Sequence, residues 1–219
     1  PDYKITAPEA GLAAKVSQDL SPQVFYKGRL LIEDWIQAVF EKNHPQLREL
    51  IVEYSEYLHD LAKQDNFTKI AYDLLPFNIV LNERGGTRQY QLIDTEWSIE
   101  GDFGADFVVF RALFWFAFEN KALLKGFAEH NNISSIASFV AQYLPAAGHV
   151  EELQKMVELE ESLQSQIGND FRAKSVEHAL LQSFGGLVKI HDSALECQVL
   201  WGNAEGVMDL ESAVFCEWE

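Results

Sequence analysis

The chain has 219 residues, of which 47% are hydrophobic and 12% aromatic, so it can build a sizeable core and is not expected to be disordered. Its formal net charge of −17 argues against nucleic acid or an anionic membrane surface as the main partner. No apolar run is long enough to span a membrane, and the longest, Phe107 to Phe118, is interrupted by Arg111 and predicts a core helix.

The N-terminal third predicts an irregular segment followed by two helices. Residues 1–23 carry three prolines and little periodicity, with a short helix expected around Glu9 to Leu20. Apolar residues at helical spacing predict the first main helix within Leu30 to Lys42. A second helix is expected to begin at Pro45, with Asn43 as its N-cap.

A strand–turn–strand unit carries the main polar motif. Asp73 is followed five residues later by Asn78, and Asp94 ends the next apolar run. Ile79–Leu81 and Gln91–Ile93 predict the two strands, joined by a turn that contains two glycines. In such a pattern one carboxylate can orient a hydroxyl, while an amide and a second carboxylate hold the magnesium that neutralises a nucleotide's phosphates. Purely structural alternatives stay open for all three residues: a turn-forming aspartate, a strand-start cap and a strand-end aspartate bonded to its own loop.

The later part of the chain is predicted to be helical. An aromatic-rich helix is expected over Asp106 to Asn120, followed by shorter helices over Lys121 to His130 and Ile133 to Leu144. Residues 148–184 are long, charged and helical in pattern, with an apolar seam near heptad spacing that Glu160 interrupts. Two alternatives stay open for this segment: an amphipathic helix that packs on its own domain, or a coiled-coil arm that joins two copies as a homo-oligomer.

Strand-like patterns return after Gly185. Leu195 to Trp201 and Val207 to Trp218 resemble the two strands of a β-hairpin. We therefore predict a mainly α fold with a small β-hairpin (α+β), in four segments: an irregular lead-in at 1–23, a lobe at 24–147, a long helical arm at 148–184, and a hairpin that starts a further domain at 185–219.

The two cysteines, Cys197 and Cys216, are too few for a disulfide framework. Both lie in strand-like stretches and could face one another, but the simpler interpretation is a pair of reduced thiols in a cytoplasmic protein. Because the chain begins with Pro1, we expect it to be part of a longer protein.

The order of two helices, an Asp-x4-Asn loop, a hairpin, an aspartate and a large apolar helix resembles the C-terminal lobe of the protein-kinase-like fold. Within that fold it is most similar to the aminoglycoside and choline kinase branch, over roughly Val24 to Leu144. The resemblance implies that Asp73 orients the acceptor hydroxyl as the catalytic residue. It also implies that Asn78 and Asp94 ligate magnesium and so bind the phosphates of ATP, which makes Mg²⁺ and ATP the expected cofactors.

A narrower resemblance concerns Asp73-Leu-Leu-Pro-Phe-Asn78 together with Asp94-Thr-Glu-Trp97 and the later run Phe110-Arg111-Ala-Leu113. These runs look like kinase-like regions that are fused to SAM-dependent methyltransferases or glycosyltransferases of bacterial surface-polysaccharide synthesis. The resemblance implies a sugar or other small-molecule acceptor and a neighbouring domain in a longer chain. Trp97 itself is expected to pack against the protein rather than to stack on a substrate.

Two departures from the kinase-like pattern keep a second function open. Ala71 occupies a position that is usually histidine, and no G-x-G-x-x-G loop or strand lysine of an N-terminal lobe is found before Val24. The first hypothesis is a Mg-ATP-dependent phosphotransferase, of which this chain is the catalytic-lobe fragment. The alternative is a non-catalytic, kinase-derived accessory module of a methyltransferase or glycosyltransferase.

Overall fold

The structure, a computed structural model, describes residues 15–18, 26–64, 67–84, 87–95, 97–100, 104–144, 150–167, 176–184, 189–192 and 195–198. These residues form a mainly helical fold with a small three-stranded antiparallel sheet, which confirms the predicted fold class. The chain divides into two compact units, Pro1–Phe184 and Gly185–Glu219. Across the described ranges, no helix combines the length and the apolar character that crossing a membrane requires.

The helices follow the apolar periodicity and the capping residues of the sequence. The N-cap predicted for the second helix is confirmed, because the Asn43 side chain accepts a hydrogen bond from the Gln46 amide at 3.1 Å. The helix begins at His44, one residue before the predicted Pro45, which needs no amide partner in the first turn. The described helices are α1 (Leu31–Phe40), α2 (His44–Leu61), α3 (Phe67–Ile70), α4 (Ala105–Glu119), α5 (Lys121–His130), α6 (Ile136–Tyr143), α7 (Val150–Gln166) and α8 (Val176–Leu180).

Helix α4 is the centre of the core. Of its 15 residues 12 are buried, on every side of the helix, so other elements must surround it. Helices α2, α5, α6 and α7 pack against it. Trp35 of α1 is fully buried and meets Tyr54 and Phe116 edge to face, with ring centroids 5.6 and 5.4 Å away. The core helix predicted around Arg111 is therefore confirmed.

The strands of the first unit form two small antiparallel sheets. They are β1 (Lys15–Gln18), β2 (Arg29–Leu30), β3 (Ile79–Arg84), β4 (Thr87–Leu92) and β5 (Trp97–Glu100). Strand β3 lies between β2 and β4, and β1 pairs with β5. The β3–β4 hairpin agrees with the predicted strand–turn–strand unit, since Ile79 lies opposite Leu92 and Arg84 opposite Thr87. The turn glycines, Gly85 and Gly86, lie outside the described residues.

Strand β1 corrects the helix that the sequence predicts around Glu9 to Leu20. Lys15–Gln18 is extended and pairs antiparallel with β5, so that Val16 lies opposite Ile99. The backbone groups of this segment therefore bond to a strand far along the chain, and this tertiary contact overrides a weak local preference. The remainder of residues 1–23 lies outside the described ranges.

Helix α7 packs on the unit that contains it. Leu163 is fully buried, and the other described seam residues are partly buried against the same core: Leu153, Met156 and Ile167. Of the two alternatives for this segment, the structure shows the amphipathic helix that packs on its own domain. The helix ends at Gln166, and α8 is a separate helix from Val176 to Leu180. Phe171, a further predicted seam residue, lies outside the described residues.

The second unit contains one described hairpin, formed by β6 (Lys189–Asp192) and β7 (Leu195–Gln198). Strand β7 agrees with the predicted strand from Leu195. Its partner is β6, which comes before it in the chain, and Ile190 of β6 lies opposite Cys197 of β7. The partner expected at Val207 to Trp218, with Cys216, lies outside the described residues.

Candidate active site

The Asp73 loop, residues 71–75, connects α3 to a short 3-10 turn at Pro76–Asn78 that leads into β3. The loop is a compact turn: the Asp73 amide donates to the Ile70 carbonyl at 3.1 Å, and the Leu75 amide donates to the Asp73 carbonyl at 2.7 Å. Four of its five residues are buried, and Tyr72 is partly buried. Such a buried loop needs partners for its remaining polar groups.

Three consecutive residues of the Asp73 loop are each held by a different element. Arg111 Nη1 of α4 donates to the Tyr72 carbonyl at 2.6 Å. The Trp97 amide of β5 donates to Asp73 Oδ2 at 2.9 Å. The Tyr54 hydroxyl of α2 donates to the Leu74 carbonyl at 2.5 Å. Three independent anchors fix the backbone on both sides of Asp73 and one oxygen of its carboxylate.

The other two predicted site residues lie at one end of the β3–β4 hairpin. Asn78 closes the 3-10 turn, and its carbonyl accepts a hydrogen bond from the Ile93 amide at 2.8 Å. Asp94 therefore follows the residue that pairs with Asn78. It is exposed, and its backbone φ of 55° lies in the left-handed region, which aspartate tolerates better than most residues.

These contacts bring Asp73, Asn78 and Asp94 to the same end of the hairpin. The Asp73 carboxylate bonds to Trp97, three residues after Asp94, and the Asn78 backbone bonds to Ile93, one residue before it. The three side chains differ in access to solvent: Asp73 is 3% exposed, Asn78 partly buried and Asp94 exposed. Within the described residues, no group of three or more histidine, cysteine, aspartate or glutamate side chains could hold a metal ion. The predicted magnesium ligands are of another kind, namely the Asp94 carboxylate and the Asn78 amide oxygen.

A buried ion pair lies beneath the loop. Arg111 Nε contacts Glu160 Oε2 at 2.5 Å, and the two side chains are 2% and 0% exposed. Trp115 Nε1 and Gln164 Nε2 both donate to Glu160 Oε1, at 2.8 and 2.7 Å. The Arg111 guanidinium also lies over the Tyr72 ring, 4.1 Å from its centroid.

The electrostatics of this cluster favour a charged Arg111. Burial by itself would lower the pKa of its guanidinium, but Glu160, Tyr72 and Asp73 together outweigh that effect and raise the pKa. Burial raises the pKa of the neighbouring Tyr72 phenol, so this hydroxyl stays neutral. The Asp73 loop therefore rests on a permanent positive charge that is neutralised from α7.

Both residues of this ion pair interrupt an apolar pattern in the sequence, but the sequence alone could not show that they contact each other. Arg111 interrupts an apolar run, and Glu160 interrupts an apolar seam. Each is an unexplained charge at a core position, and the two have opposite signs. The structure brings them together across 49 residues of chain.

A second constellation, Ser55, His59 and Asp106, superficially resembles a hydrolase triad. His59 Nε2 is 3.3 Å from Asp106 Oδ1, and His59 Nδ1 is 3.4 Å from Ser55 Oγ. However, Nδ1 is also 2.8 Å from the Ser55 carbonyl oxygen, which can only accept, so Nδ1 carries a hydrogen and cannot take a proton from the serine. Ser55 is also buried. This group is a helix-end contact between α2 and α4.

Trp97 packs as expected, partly buried against the core and with its ring 6.3 Å from that of Tyr72.

No protein-family model matches the chain, and searches among curated proteins and solved structures likewise returned no match.

Proposed function

We propose that the chain is the catalytic-lobe part of a magnesium- and ATP-dependent phosphotransferase of kinase-like fold, which acts on a hydroxyl of a sugar or another small molecule. One observation carries the proposal: Asp73, Asn78 and Asp94 lie at one end of the β3–β4 hairpin, linked through the Trp97–Asp73 and Ile93–Asn78 hydrogen bonds. The proposal includes a cytoplasmic location, where ATP and Mg²⁺ are available.

The donor groups fit the chemistry of magnesium. Mg²⁺ prefers oxygen ligands and is usually held by one or two carboxylates together with substrate phosphates. The exposed Asp94 carboxylate and the Asn78 amide oxygen would supply the protein's share of these ligands. When bound, the metal would neutralise charge on the nucleotide phosphates, which supplies much of the electrostatic stabilisation in phosphoryl transfer.

Asp73 would orient the acceptor hydroxyl. One of its oxygens is fixed by the Trp97 amide, so the carboxylate is held in a defined direction and need not be ordered during the reaction. The carbonyls on either side of Asp73 are anchored by Arg111 and Tyr54. Such support from neighbouring groups is what a positioned catalytic carboxylate requires.

A second candidate function is a non-catalytic accessory module that docks a neighbouring methyltransferase or glycosyltransferase domain. The observation in its favour is the burial of Asp73, which is 3% exposed and already bonded to the Trp97 amide. Under this hypothesis the three anchors stabilise a loop that has no reaction to perform. Ala71, where kinase-like sequences usually have histidine, also favours it.

Titration calorimetry with ATP and Mg²⁺ tests the first function. We expect the full-length wild-type protein, of which this chain is proposed to be the catalytic-lobe part, to bind Mg-ATP. Asp94→Ala should weaken the binding at least about tenfold, since a ligand carboxylate is lost. Asp60→Ala is the matched control, because Asp60 is likewise an exposed aspartate, and its carboxylate pairs with Lys63. Absence of Mg-ATP binding by the wild type, or equal binding by the two variants, would overturn the proposal.

Asp73→Asn distinguishes the two candidate functions. The asparagine amide oxygen can still accept from the Trp97 amide, so the loop should stay in place while the charge is removed. A phosphotransferase should lose about 10²- to 10⁴-fold in kcat towards a sugar acceptor with little change in Mg-ATP affinity. An accessory module should show no nucleotide-dependent transfer in either form.

A further inference from the structure

Helix α7 reaches the Asp73 loop at two points: Gln164 Nε2 donates to the Tyr72 hydroxyl at 3.5 Å, and Arg111 of α4 links Glu160 of α7 to the backbone of the loop. The Arg111 guanidinium uses Nε to contact Glu160 Oε2 of α7 at 2.5 Å and Nη1 to donate to the Tyr72 carbonyl at 2.6 Å. The planar fork of arginine can serve both partners at once because its donors point in different directions. Glu160, Arg111 and the Tyr72 carbonyl thus form a continuous polar chain from α7 to the loop.

Each link of this chain depends on the one before it. Arg111 is a buried charge, and without Glu160 it would have to move towards another anion or towards water. Glu160 is fixed in turn, since Trp115 and Gln164 both donate to its other oxygen. Helix α7, through Glu160, therefore fixes the position of the Arg111 Nη1 group that donates to the Tyr72 carbonyl.

Stability alone does not account for such a pair. Apolar side chains of similar volume commonly replace a buried ion pair with no loss of stability, or with a gain. What apolar replacements cannot supply is a hydrogen-bond donor for the partly buried Tyr72 carbonyl next to Asp73. The feature that distinguishes this ion pair from a well-packed apolar contact is therefore its bond to the loop.

We propose that Arg111 and Glu160 are positioning residues of the candidate active site, which hold the Tyr72 carbonyl and thereby set the Asp73 carboxylate against the Trp97 amide. Helix α7 is then part of the site and not a spacer to the following unit. The positioning of the loop stands on the hydrogen bonds alone, whereas its consequence for phosphoryl transfer rests on the proposed function.

Amide hydrogen exchange measured by NMR tests the proposal in the double variant Arg111→Met with Glu160→Gln. The glutamine oxygen can still accept from Trp115 and Gln164, and no unpaired buried charge is left. The Trp97 amide donates to the Asp73 carboxylate, and the Leu75 amide donates to the Asp73 carbonyl. We expect the protection of both amides from exchange to fall at least about tenfold. The Phe139 amide in α6 serves as an internal reference, because it bonds to the Ser135 carbonyl away from the loop.

The matched control removes an ion pair at the surface, by Lys63→Met with Asp60→Gln, and should leave all three amides unchanged. If the first double variant does not fold, Arg111→Lys gives the same comparison. It keeps a positive charge beside Glu160, but a lysine ammonium lacks the fork that serves both partners. Undiminished protection of Trp97 and Leu75 in a folded variant overturns the proposal, as does an equal loss of protection at Phe139.

Failure of the positioning role and failure of the proposed function give different results. If the wild type does not bind Mg-ATP, the exchange data still decide whether Arg111 and Glu160 hold the loop. If it does bind and transfer phosphate, the double variant should lower kcat at least about tenfold while the KM for ATP changes little, because the metal ligands Asn78 and Asp94 are untouched. Unchanged kcat together with unchanged exchange rules out positioning and leaves the phosphotransferase proposal intact.

Discussion

At the scale of single residues, the anchors of the Asp73 loop differ from ordinary core contacts in what their polar atoms do. Tyr54 and Tyr143 are both buried, 0% and 5% exposed. The Tyr54 hydroxyl donates to the Leu74 carbonyl, whereas the Tyr143 hydroxyl has no hydrogen-bond partner among the described residues. A buried hydroxyl without a partner carries a desolvation penalty that nothing offsets. Both tyrosines are therefore buried, but among the described residues only the Tyr54 hydroxyl has a hydrogen bond that offsets the cost of burying it.

We predict that Tyr54→Phe lowers the free energy of unfolding by about 1–3 kcal/mol, because it leaves the Leu74 carbonyl buried without its donor. Tyr143→Phe should change it by less than about 0.5 kcal/mol or raise it, since the lost hydroxyl had no partner. Urea unfolding of both variants provides the measurement. Equal destabilisation by the two substitutions would show that the Tyr54 bond contributes nothing specific to the loop.

At the scale of elements, the close approach of β2 to β3 depends on one glycine. A Cβ atom at Gly28 would lie 2.4 Å from both the Leu81 carbonyl oxygen and Val80 Cγ1, closer than any real contact. Only glycine allows the segment before β2 to run so near the strand that follows the candidate site. Gly126 in α5 is the opposite case, because its added Cβ would meet only the end of the Lys42 side chain, Cε at 3.6 Å and Nζ at 3.9 Å, which are ordinary contacts.

Gly28→Ala should therefore destabilise the protein by about 1–3 kcal/mol through overpacking against β3. The same substitution at Gly126 should stabilise it by about 0.5–1 kcal/mol, since alanine is the better residue inside a helix. Thermal unfolding of the two variants gives the comparison. A Gly28→Ala protein as stable as the wild type would mean that β2 can separate from β3 at no cost.

At the scale of the whole molecule, α7 and α8 belong to the same compact unit as the helices before them. Their buried residues complete the core around α4, and Glu160 neutralises Arg111. The boundary between units falls after Phe184. The first unit consequently needs residues well beyond the last helix of the lobe predicted at 24–147.

We expect a chain that ends at Phe184 to unfold cooperatively, with a midpoint within a few degrees of the first unit's transition in the whole protein. A chain that ends at Leu144 should lose cooperative unfolding. It leaves Arg111 buried without Glu160, which costs about 3–5 kcal/mol, and it uncovers the apolar surface that Leu159 and Leu163 protect. Near-UV circular dichroism during heating distinguishes the two, and a cooperative melt of the shorter chain would contradict the role given to α7.

The sequence by itself determined the features that depend on short-range patterns. The Asn43–Pro45 start of α2, the β3–β4 hairpin and the apolar helix α4 follow from capping residues, alternation and continuous hydrophobicity. The placement of Asn78 and Asp94 at one end of the hairpin belongs to this group, because a tight hairpin brings its two ends together.

Only the tertiary structure decided which distant groups meet. Strand β1 exists because β5 lies beside it, and the Asp73 loop is held by Tyr54, Trp97 and Arg111 from three separate elements. In the sequence, Arg111 and Glu160 each interrupt an apolar pattern, and the packing of α7 against α4 brings them together as an ion pair. The physical reason is that a charge can be buried only beside its counter-charge, and no local pattern identifies a counter-charge 49 residues away.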